Sequence, residues 1–178
     1  LGDVYKRQVL FCTADEIIID EVAYSSKWHA HSVKNKKGVA LERIDPDAAT
    51  QDAANWTSAS ETVGYGTPGY QNSQYKDASS GDATGIEPPV WIEESGSYTV
   101  SYLLDRPGYS CRAFVFNTSG LRVADISNHE LLGISGKITW SGVANNGSPL
   151  QTGVYIFYAE IYHPEGTVKR FKKAFLIR

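Results

Sequence analysis

The sequence predicts an all-β fold, and three observations support this prediction. Apolar and polar residues alternate over several short segments, which is the period of a strand with one buried face. The chain contains 11 Tyr, 16 Gly and 7 Pro, a composition typical of short strands joined by tight turns. In the second half, turn sequences recur at spacings of about 8–12 residues, as they do in β-sandwiches. The apolar periodicity of a long helix is not sustained anywhere.

The second half of the chain carries the clearest strand pattern. Cys111, Ala113 and Val115 share one face of a predicted strand. Phe114 and Phe116 lie on the opposite face of the same strand. Each predicted strand ends at a turn rich in Asn, Gly, Ser or Pro. We predict strands at residues 97–104, 109–117, 121–124, 136–142, 153–162 and 167–177.

The first half predicts fewer strands and one long loop. Residues 9–24 are predicted to form two strands around a turn, and residues 38–44 a third strand. Asp, Ala, Pro and Thr dominate residues 45–55, which predicts an irregular loop with one helical turn. We expect the large ring of Trp56 to pin this loop to the sheet.

Composition divides the chain into four parts. Residues 1–8 resemble the translation of a transposon end used to build shotgun sequencing libraries, so we expect a non-native leader there. Residues 77–89 are rich in Ser, Gly, Asp and Pro, which predicts a linker. The linker separates a first unit at residues 9–76 from a second unit at residues 90–178. Because the sequence contains no Met, we expect it to be part of a longer chain.

Four segments of the first unit follow one another in a specific order and spacing. They are GVALERID at 38–45, TQD at 50–52, NW at 55–56 and TPGYQNSQ at 67–74. This pattern resembles the C-terminal portion of lamin-tail domains in exported proteins of the Bacteroidota. The resemblance implies the later strands of an immunoglobulin-like domain. We therefore expect an incomplete immunoglobulin-like β-sandwich, the earlier strands of which are missing from this fragment.

The second unit carries a different set of marker residues. They are Tyr102, PGY at 107–109, SG at 119–120, WSG at 140–142, Gly147 and TGVY at 152–155. This set resembles the immunoglobulin-like domain of flagellar hook-capping proteins, which implies a complete β-sandwich. Ser141 departs from the Trp-Asp-Gly that is usual in relatives. Residues 90–96 lack the Asp/Asn-rich loop of those relatives, so we do not expect calcium binding.

The end of the chain resembles a third kind of domain. A Gly-x-Tyr strand, a Gly turn and a basic final strand with Lys172 and Lys173 look like the C-terminal domains that the type IX secretion machinery recognises. Residues 85–178 are therefore either a sorting signal or a structural module, and the sequence leaves both alternatives open.

The candidate catalytic and metal-binding residues do not form a recognisable site. His29 and His31 would share a strand face, but zinc sites use three or four ligands and the spacing offers no third. Asp45, Asp47 and Asp52 do not follow the EF-hand pattern and are interpreted as turn-capping acids.

Other motifs lead to the same interpretation. His129 and His163 are predicted in loops. The Gly-rich segment 64–69 lacks the Lys-Ser/Thr of a phosphate-binding loop, and neither a nucleophile elbow nor a catalytic triad is arranged in the sequence. We predict no catalytic, cofactor-binding or metal-binding residue and no cofactor, so we expect no enzyme activity from these residues.

Charge and cysteine content restrict the partners. The net charge is −3 and the pI is about 5.8, so we predict no nucleic-acid partner. No apolar stretch reaches the length of about 20 residues that spans a membrane. Cys12 and Cys111 are interpreted as two buried free thiols in separate domains, with a bridge between the domains as the alternative.

The tryptophans and tyrosines are interpreted as packing residues, since aromatic rings at strand positions usually fill cores or sheet faces. Trp28, Trp56 and Trp140 belong to this group. Trp91 and Tyr98 are the best candidates for the alternative, stacking on a sugar.

These observations favour a non-catalytic structural or adhesive C-terminal module of an exported or cell-surface bacterial protein. The expected location is extracellular or on the cell surface, with the periplasm as an alternative. Other proteins or the cell envelope are the expected partners, with the export machinery as a further candidate. The alternatives are a secretion or sorting domain, or the accessory tail of an enzyme, such as a hydrolase or nuclease, that has its catalytic part outside this fragment.

Overall fold

The computed structural model describes residues 7–76 and 83–178, and the fold within them is all-β, as predicted. These residues form twelve strands, all paired antiparallel, and three short 3-10 turns. The strands are β1 (Arg7–Cys12), β2 (Ile18–Tyr24), β3 (Leu41–Arg43), β4 (Trp56–Ser58), β5 (Gly85–Ile86), β6 (Val90–Ile92), β7 (Ser97–Leu103), β8 (Ser110–Phe116), β9 (Arg122–Leu131), β10 (Ser135–Trp140), β11 (Gly153–Tyr162) and β12 (Val168–Ile177). The 3-10 turns are Ser26–Trp28, Ala53–Asn55 and Glu61–Val63.

Strands β5 to β12 form two four-stranded sheets. In one sheet β7 pairs with β10, β5 and β6, and the order of the other is β12-β11-β8-β9. The alternation predicted for β8 is confirmed, because Cys111, Ala113 and Val115 are fully buried in the core. Residues from both sheets contribute to this core, among them Ile86, Val100, Leu104, Tyr109, Ile138, Trp140, Phe157, Ile161 and Phe175.

Trp140 lies at one end of this core, and the interpretation of its ring as a packing residue is confirmed. The side chain is only 8% exposed. The ring centroid lies 5.4 Å from that of Tyr98 and 6.3 Å from that of Phe175. The indole N–H donates to the Val143 carbonyl at 3.0 Å, so the one polar atom of the ring is also satisfied.

Three features of the second unit differ from the sequence predictions. Strands β5 and β6 were not expected. Strand β5 (Gly85–Ile86) pairs with β7, although it falls within residues 77–89, which were expected to be a linker. Residues 77–82 of that range lie outside the described residues. The strand predicted at 121–124 continues to Leu131. Its pairing with β8 shifts register three times, which breaks the alternation that would have revealed its length. His129 therefore lies in β9, with a positive φ of 64°, and not in a loop.

The predicted hairpin at residues 9–24 is confirmed as β1 and β2, which form a two-stranded ribbon. All six residues of β1 are exposed. Cys12 is thus exposed, and the expectation that both cysteines are buried was wrong for it; the thiols of Cys12 and Cys111 are both free. Cys12 escapes burial because no further strand packs on the ribbon within the described residues.

The loop at residues 45–55 and its anchor are also confirmed. The loop contains the 3-10 turn Ala53–Asn55, and the Trp56 indole N–H donates to the Thr50 carbonyl at 2.8 Å. Strand β3 is shorter than predicted, and it pairs only with β4 in a small two-stranded sheet.

Candidate functional site

A buried carboxylate, Glu42 in β3, organises the part of the first unit that faces the sandwich. Its side chain is 3% exposed. The Thr67 hydroxyl donates to Oε1 at 2.6 Å, and the Ser73 hydroxyl donates to Oε2 at 2.7 Å. The Gln74 backbone N–H also donates to Oε2, at 3.2 Å. These three donors replace the water that the carboxylate lost on burial, so Glu42 holds the segment 67–74 against β3.

The same segment bonds directly to the sandwich. Gln74 is fully buried, and its Nε2 donates to the carbonyls of Ser58 at 3.0 Å and Leu132 at 3.2 Å. The backbone N–H of Ile134 donates to the carbonyl of Ser73 at 2.9 Å. One side chain and one main-chain bond therefore connect the first unit to the turn between β9 and β10.

Gly133 and Tyr102 complete the sandwich side of this contact. A Cβ built on Gly133 would lie 2.4 Å from the Ser73 carbonyl oxygen, so the close approach of the two backbones requires glycine. The Tyr102 hydroxyl accepts from the Gly133 N–H at 3.3 Å and lies 3.1 Å from the Thr62 hydroxyl. Burial raises the pKa of Tyr102. We call this set the junction: Glu42, Ser58, Thr62, Thr67, Ser73, Gln74, Tyr102, Leu132, Gly133 and Ile134.

A second carboxylate, Glu160 in β11, lies on the outer face of the sheet β12-β11-β8-β9. It accepts hydrogen bonds from the hydroxyls of Tyr162 and Tyr158 and from Nε of Arg170. The bond from Tyr162, followed by the bond from Arg170, lowers the pKa of Glu160 to about 2. The carboxylate is therefore ionised at neutral pH, and its bond from Arg170 ties β11 to the edge strand β12.

The edge strand β12 is strongly basic. Lys169 donates to Asp105 at 3.0 Å and to Thr84 at 2.7 Å, which attaches the start of β12 to the opposite sheet. Lys172 and Lys173 are exposed, and neither forms an ion pair within residues 7–76 and 83–178. Lysines on an edge strand disfavour non-specific pairing with other strands.

An open groove of about 670 Å³ lies beside Trp91 in β6, between Val90, Leu150 and Leu176. Trp91 is 41% exposed, and its ring packs edge-on against Tyr98 with the centroids 5.1 Å apart. Tyr98 is 5% exposed and is a core residue. Of the two residues considered for stacking on a sugar, only Trp91 presents an accessible ring.

A second open groove, of about 830 Å³, separates the β1–β2 ribbon from the rest of the first unit and is lined by Tyr24, Lys36 and Trp56 among others. His29 also lines it, and its Nδ1 lies 2.9 Å from the Ser58 hydroxyl. Burial, followed by the charge of Lys36, lowers the pKa of His29, so the imidazole is neutral at physiological pH.

Neither His31 nor His163 belongs to a group of metal ligands within the described residues. His31 is exposed, and the structure does not bring it into a ligand set with His29. His163 lies next to β11, with Nε2 3.2 Å from the Pro107 carbonyl oxygen and its ring 5.1 Å from that of Tyr109. No group of three or more His, Cys, Asp or Glu in the described part of the chain could hold a metal ion.

The turn-capping interpretation of the loop acids is confirmed for two of the three. Oδ1 of Asp45 accepts from the backbone N–H of Asp47 at 2.9 Å. Oδ1 of Asp52 accepts from the N–H of Ala54 at 2.9 Å and caps a 3-10 turn. The Gly-rich segment 64–69 is a turn region with positive φ at both of its ends. Within the described residues, no helix is long and apolar enough to cross a membrane.

Sequence reasoning did not identify the junction. One signal was present, since Glu42 shares a predicted strand face with Ala40 and Ile44. A lone acid on an otherwise apolar strand face indicates a buried carboxylate with dedicated donors. The identity of those donors could not be read from local pattern.

Comparisons with known proteins find no matching protein family and no relative among curated proteins. A solved structure of FlgD from P. aeruginosa aligns with this chain over 52% of this chain and 71% of the FlgD chain, with 16% sequence identity and a TM-score of 0.40. A second solved structure is that of PorZ, described as an essential bacterial surface component of the type-IX secretion system of Porphyromonas gingivalis. The alignment covers 55% of this chain and 12% of the PorZ chain. Its identity is 18% and its TM-score 0.32. Likenesses at this level assign no function to the chain.

Proposed function

We propose that this chain is a non-catalytic structural module of an exported or cell-surface bacterial protein, in which the two β-units form one rigid body. The observation that carries the proposal is the junction. Glu42 orders the segment that contains Gln74. The side-chain amide of Gln74 donates one hydrogen bond to a carbonyl of each unit, Ser58 in the first and Leu132 in the second. A rotation of one unit against the other would leave these buried groups unpaired, which costs about 1–3 kcal/mol for each group.

The organisation and location of the module are part of the proposal. Residues 9–76 are the later strands of a lamin-tail-like domain, and they are followed by an immunoglobulin-like sandwich. The sandwich takes in residues 90–178 and also β5, which lies within the segment 77–89 and pairs with β7. Residues 1–8 are a non-native leader, of which residues 1–6 lie outside the described residues and Arg7 and Gln8 extend β1 by pairing with Tyr24 and Ala23. The module acts outside the cell or at its surface, where other proteins or the envelope are its partners.

Hydrogen exchange tests the rigid body directly. Amides of β4 and of β8 are expected to open with the same free energy, because one unit cannot unfold while the junction is intact. Gln74→Ala should lower protection in both strands, whereas Gln71→Ala, at an exposed position, should change neither. Protection of β4 that is lost far earlier than that of β8 in the unchanged chain would contradict the proposal.

A second candidate function is favoured by one observation. The chain's last strand, β12, is an edge strand with four basic residues between positions 169 and 173, and a basic final strand is part of the resemblance to type IX sorting domains. In this candidate, the export machinery reads β12 and an upstream cargo holds the function.

Surface display separates the two candidates. A reporter is fused between a signal peptide and residues 9–178 in a Bacteroidota host, and protease is added to intact cells. A sorting signal predicts that the reporter is cleaved and that the double variant Lys172→Glu, Lys173→Glu, which keeps β12 in place, abolishes cleavage. A reporter that stays protected in both versions leaves the structural module as the function.

A further inference from the structure

We infer that the open groove beside Trp91 binds a neutral oligosaccharide, with one sugar ring stacked on the indole of Trp91. The inference goes beyond the structural role proposed above and does not rest on it. It depends on an exposed aromatic ring in a rigid setting and on two unpaired charges of opposite sign. We call this feature the Trp91 groove, and the lining residues that matter are Trp91, Glu93, Ser141, Gly142, Leu150 and Arg178.

Trp91 faces the interior of the sandwich and is nevertheless exposed. In the pairing of β6 with β7 it lies directly opposite Tyr98, so the two side chains share a face of the sheet. Tyr98 belongs to the core and is 5% exposed, whereas Trp91 is 41% exposed. Within the described residues no strand pairs with the other edge of β6, and the sandwich is open there. A large ring on an inward face that remains open indicates a binding site.

The ring of Trp91 is held in place without being covered. Its centroid lies 5.1 Å from that of Tyr98, in an edge-on arrangement. The Tyr98 ring packs in turn against those of Trp140 and Phe175, at 5.4 and 5.9 Å. Trp91 therefore rests on a chain of buried rings and loses little conformational freedom when a ligand stacks on it.

A second part of the lining is also fixed. The backbone N–H of Leu150 donates to the Gly142 carbonyl at 3.1 Å, and Val143 forms a bridge with Pro149. Gly142 has a positive φ of 80°, and a Cβ at this position would lie 3.1 Å from the Tyr98 ring. Glycine thus lets the loop pass close to that ring, and the groove exists in the free protein.

The charges of the groove decide between ligand classes. Glu93 and Arg178 both line it, and neither forms an ion pair within residues 7–76 and 83–178. Ser141 is exposed and adds a hydroxyl. An apolar peptide or an acyl chain would remove water from these groups and replace it with nothing. Sugar hydroxyls donate and accept, so they can bond to the carboxylate, the guanidinium and the hydroxyl alike.

The same lining favours a neutral sugar. Glu93 and Arg178 are the two charged residues that line the groove in the described part of the chain, so their charges cancel and an acidic ligand gains no net attraction. The indole face is the negative part of the ring quadrupole, and it attracts the weakly positive C–H groups of a pyranose face. Because the groove is open, further sugar units can extend past the stacked ring.

Titration of the full chain with four neutral trisaccharides tests the site. The probes are cellotriose, maltotriose, mannotriose and chitotriose, and trigalacturonate is the acidic comparison. Binding is measured by calorimetry and by tryptophan emission, since Trp91 is the most exposed of the four tryptophans. At least one neutral probe is expected to bind, and to bind more tightly than trigalacturonate.

Substitutions locate the binding. Trp91→Ala should weaken it by about tenfold or more because the stacking surface is lost, and Trp91→Tyr should restore most of the affinity because it keeps a ring. Glu93→Ala should weaken it by about fivefold or more. The matched controls are Tyr70→Ala, which removes a ring that is 84% exposed outside the groove, and Glu94→Ala, at the exposed neighbour of Glu93. Neither control should change the affinity.

Urea midpoints establish that each variant is folded before it is titrated. The inference is overturned if no neutral probe binds at millimolar concentration, or if trigalacturonate binds more tightly than all four. Binding that Trp91→Ala leaves unchanged overturns it as well. A groove that takes palmitate or an apolar peptide but no sugar is a docking face for another kind of partner, and this result also overturns the inference.

Discussion

Substitution of Glu42 is the most direct test of how the first unit is built and held to the sandwich. Glu42→Gln removes the charge and retains the length of the side chain. Glu42→Ala removes all acceptors and leaves the three donors from Thr67, Ser73 and Gln74 without their partner. The two variants therefore separate the contribution of the charge from that of the hydrogen bonds.

The expected magnitudes follow from what each donor can do afterwards. The hydroxyls of Thr67 and Ser73 can rotate toward other acceptors, but the Gln74 backbone N–H cannot turn without moving the chain. Leaving this buried N–H without an acceptor costs about 1–3 kcal/mol. Together with the cavity left by the side chain, we expect Glu42→Ala to destabilise the protein by about 3–4 kcal/mol. Glu42→Gln keeps one acceptor and should cost about 1–2 kcal/mol.

The assay is urea denaturation followed by tryptophan fluorescence, with Glu94→Gln, at an exposed turn position, as the matched control. Both Glu42 variants should lower the midpoint in the stated order, and the control should change the free energy of unfolding by less than about 0.5 kcal/mol. A loss below that value for Glu42→Ala would refute the reasoning, since the carboxylate would then not be the buried acceptor of this network.

Three further predictions concern the sandwich. Trp140→Ala should destabilise by about 3–5 kcal/mol in the same assay, because the ring is buried and its N–H is bonded; a loss under about 1 kcal/mol would contradict this packing. Gly133→Ala should cost about 1–3 kcal/mol, since its Cβ meets a carbonyl oxygen, whereas Gly85→Ala, with nothing within 4 Å, is the matched control. The pKa of Glu160 falls on folding from 4.5 to about 2. The stability that the ionised carboxylate contributes to the folded protein is therefore present above pH 4.5 and is lost as the pH falls toward 2. Urea midpoints of Glu160→Gln should therefore decline less over that window than those of the unchanged chain.

The sequence predicted the sandwich well where each strand obeys a simple alternation. Strand β8 is the clearest case. Its inward side chains alternate regularly and lie beside the inward side chains of the neighbouring strand β11, with Ala113 paired with Ala159. Strand β9 was underestimated because its bulges interrupt the alternation, and His129 with its positive φ is one of the interruptions. Strands β5 and β6 are too short to produce a period, so only their partner β7 defines them.

The junction lay beyond prediction for a different reason. Gln74 bonds to a carbonyl 58 residues further along the chain, and a pairing over that distance leaves no periodic trace in the sequence. The resemblances did mark both sides of the contact, with Gln74 at the end of one motif and Tyr102 at the start of the other. They marked these residues as members of two separate domains. Neither motif contains the residue of the other unit to which Gln74 or Tyr102 is hydrogen-bonded, Leu132 and Thr62 respectively. The contact between the units is a property of the pair, and it required the three-dimensional arrangement to become visible.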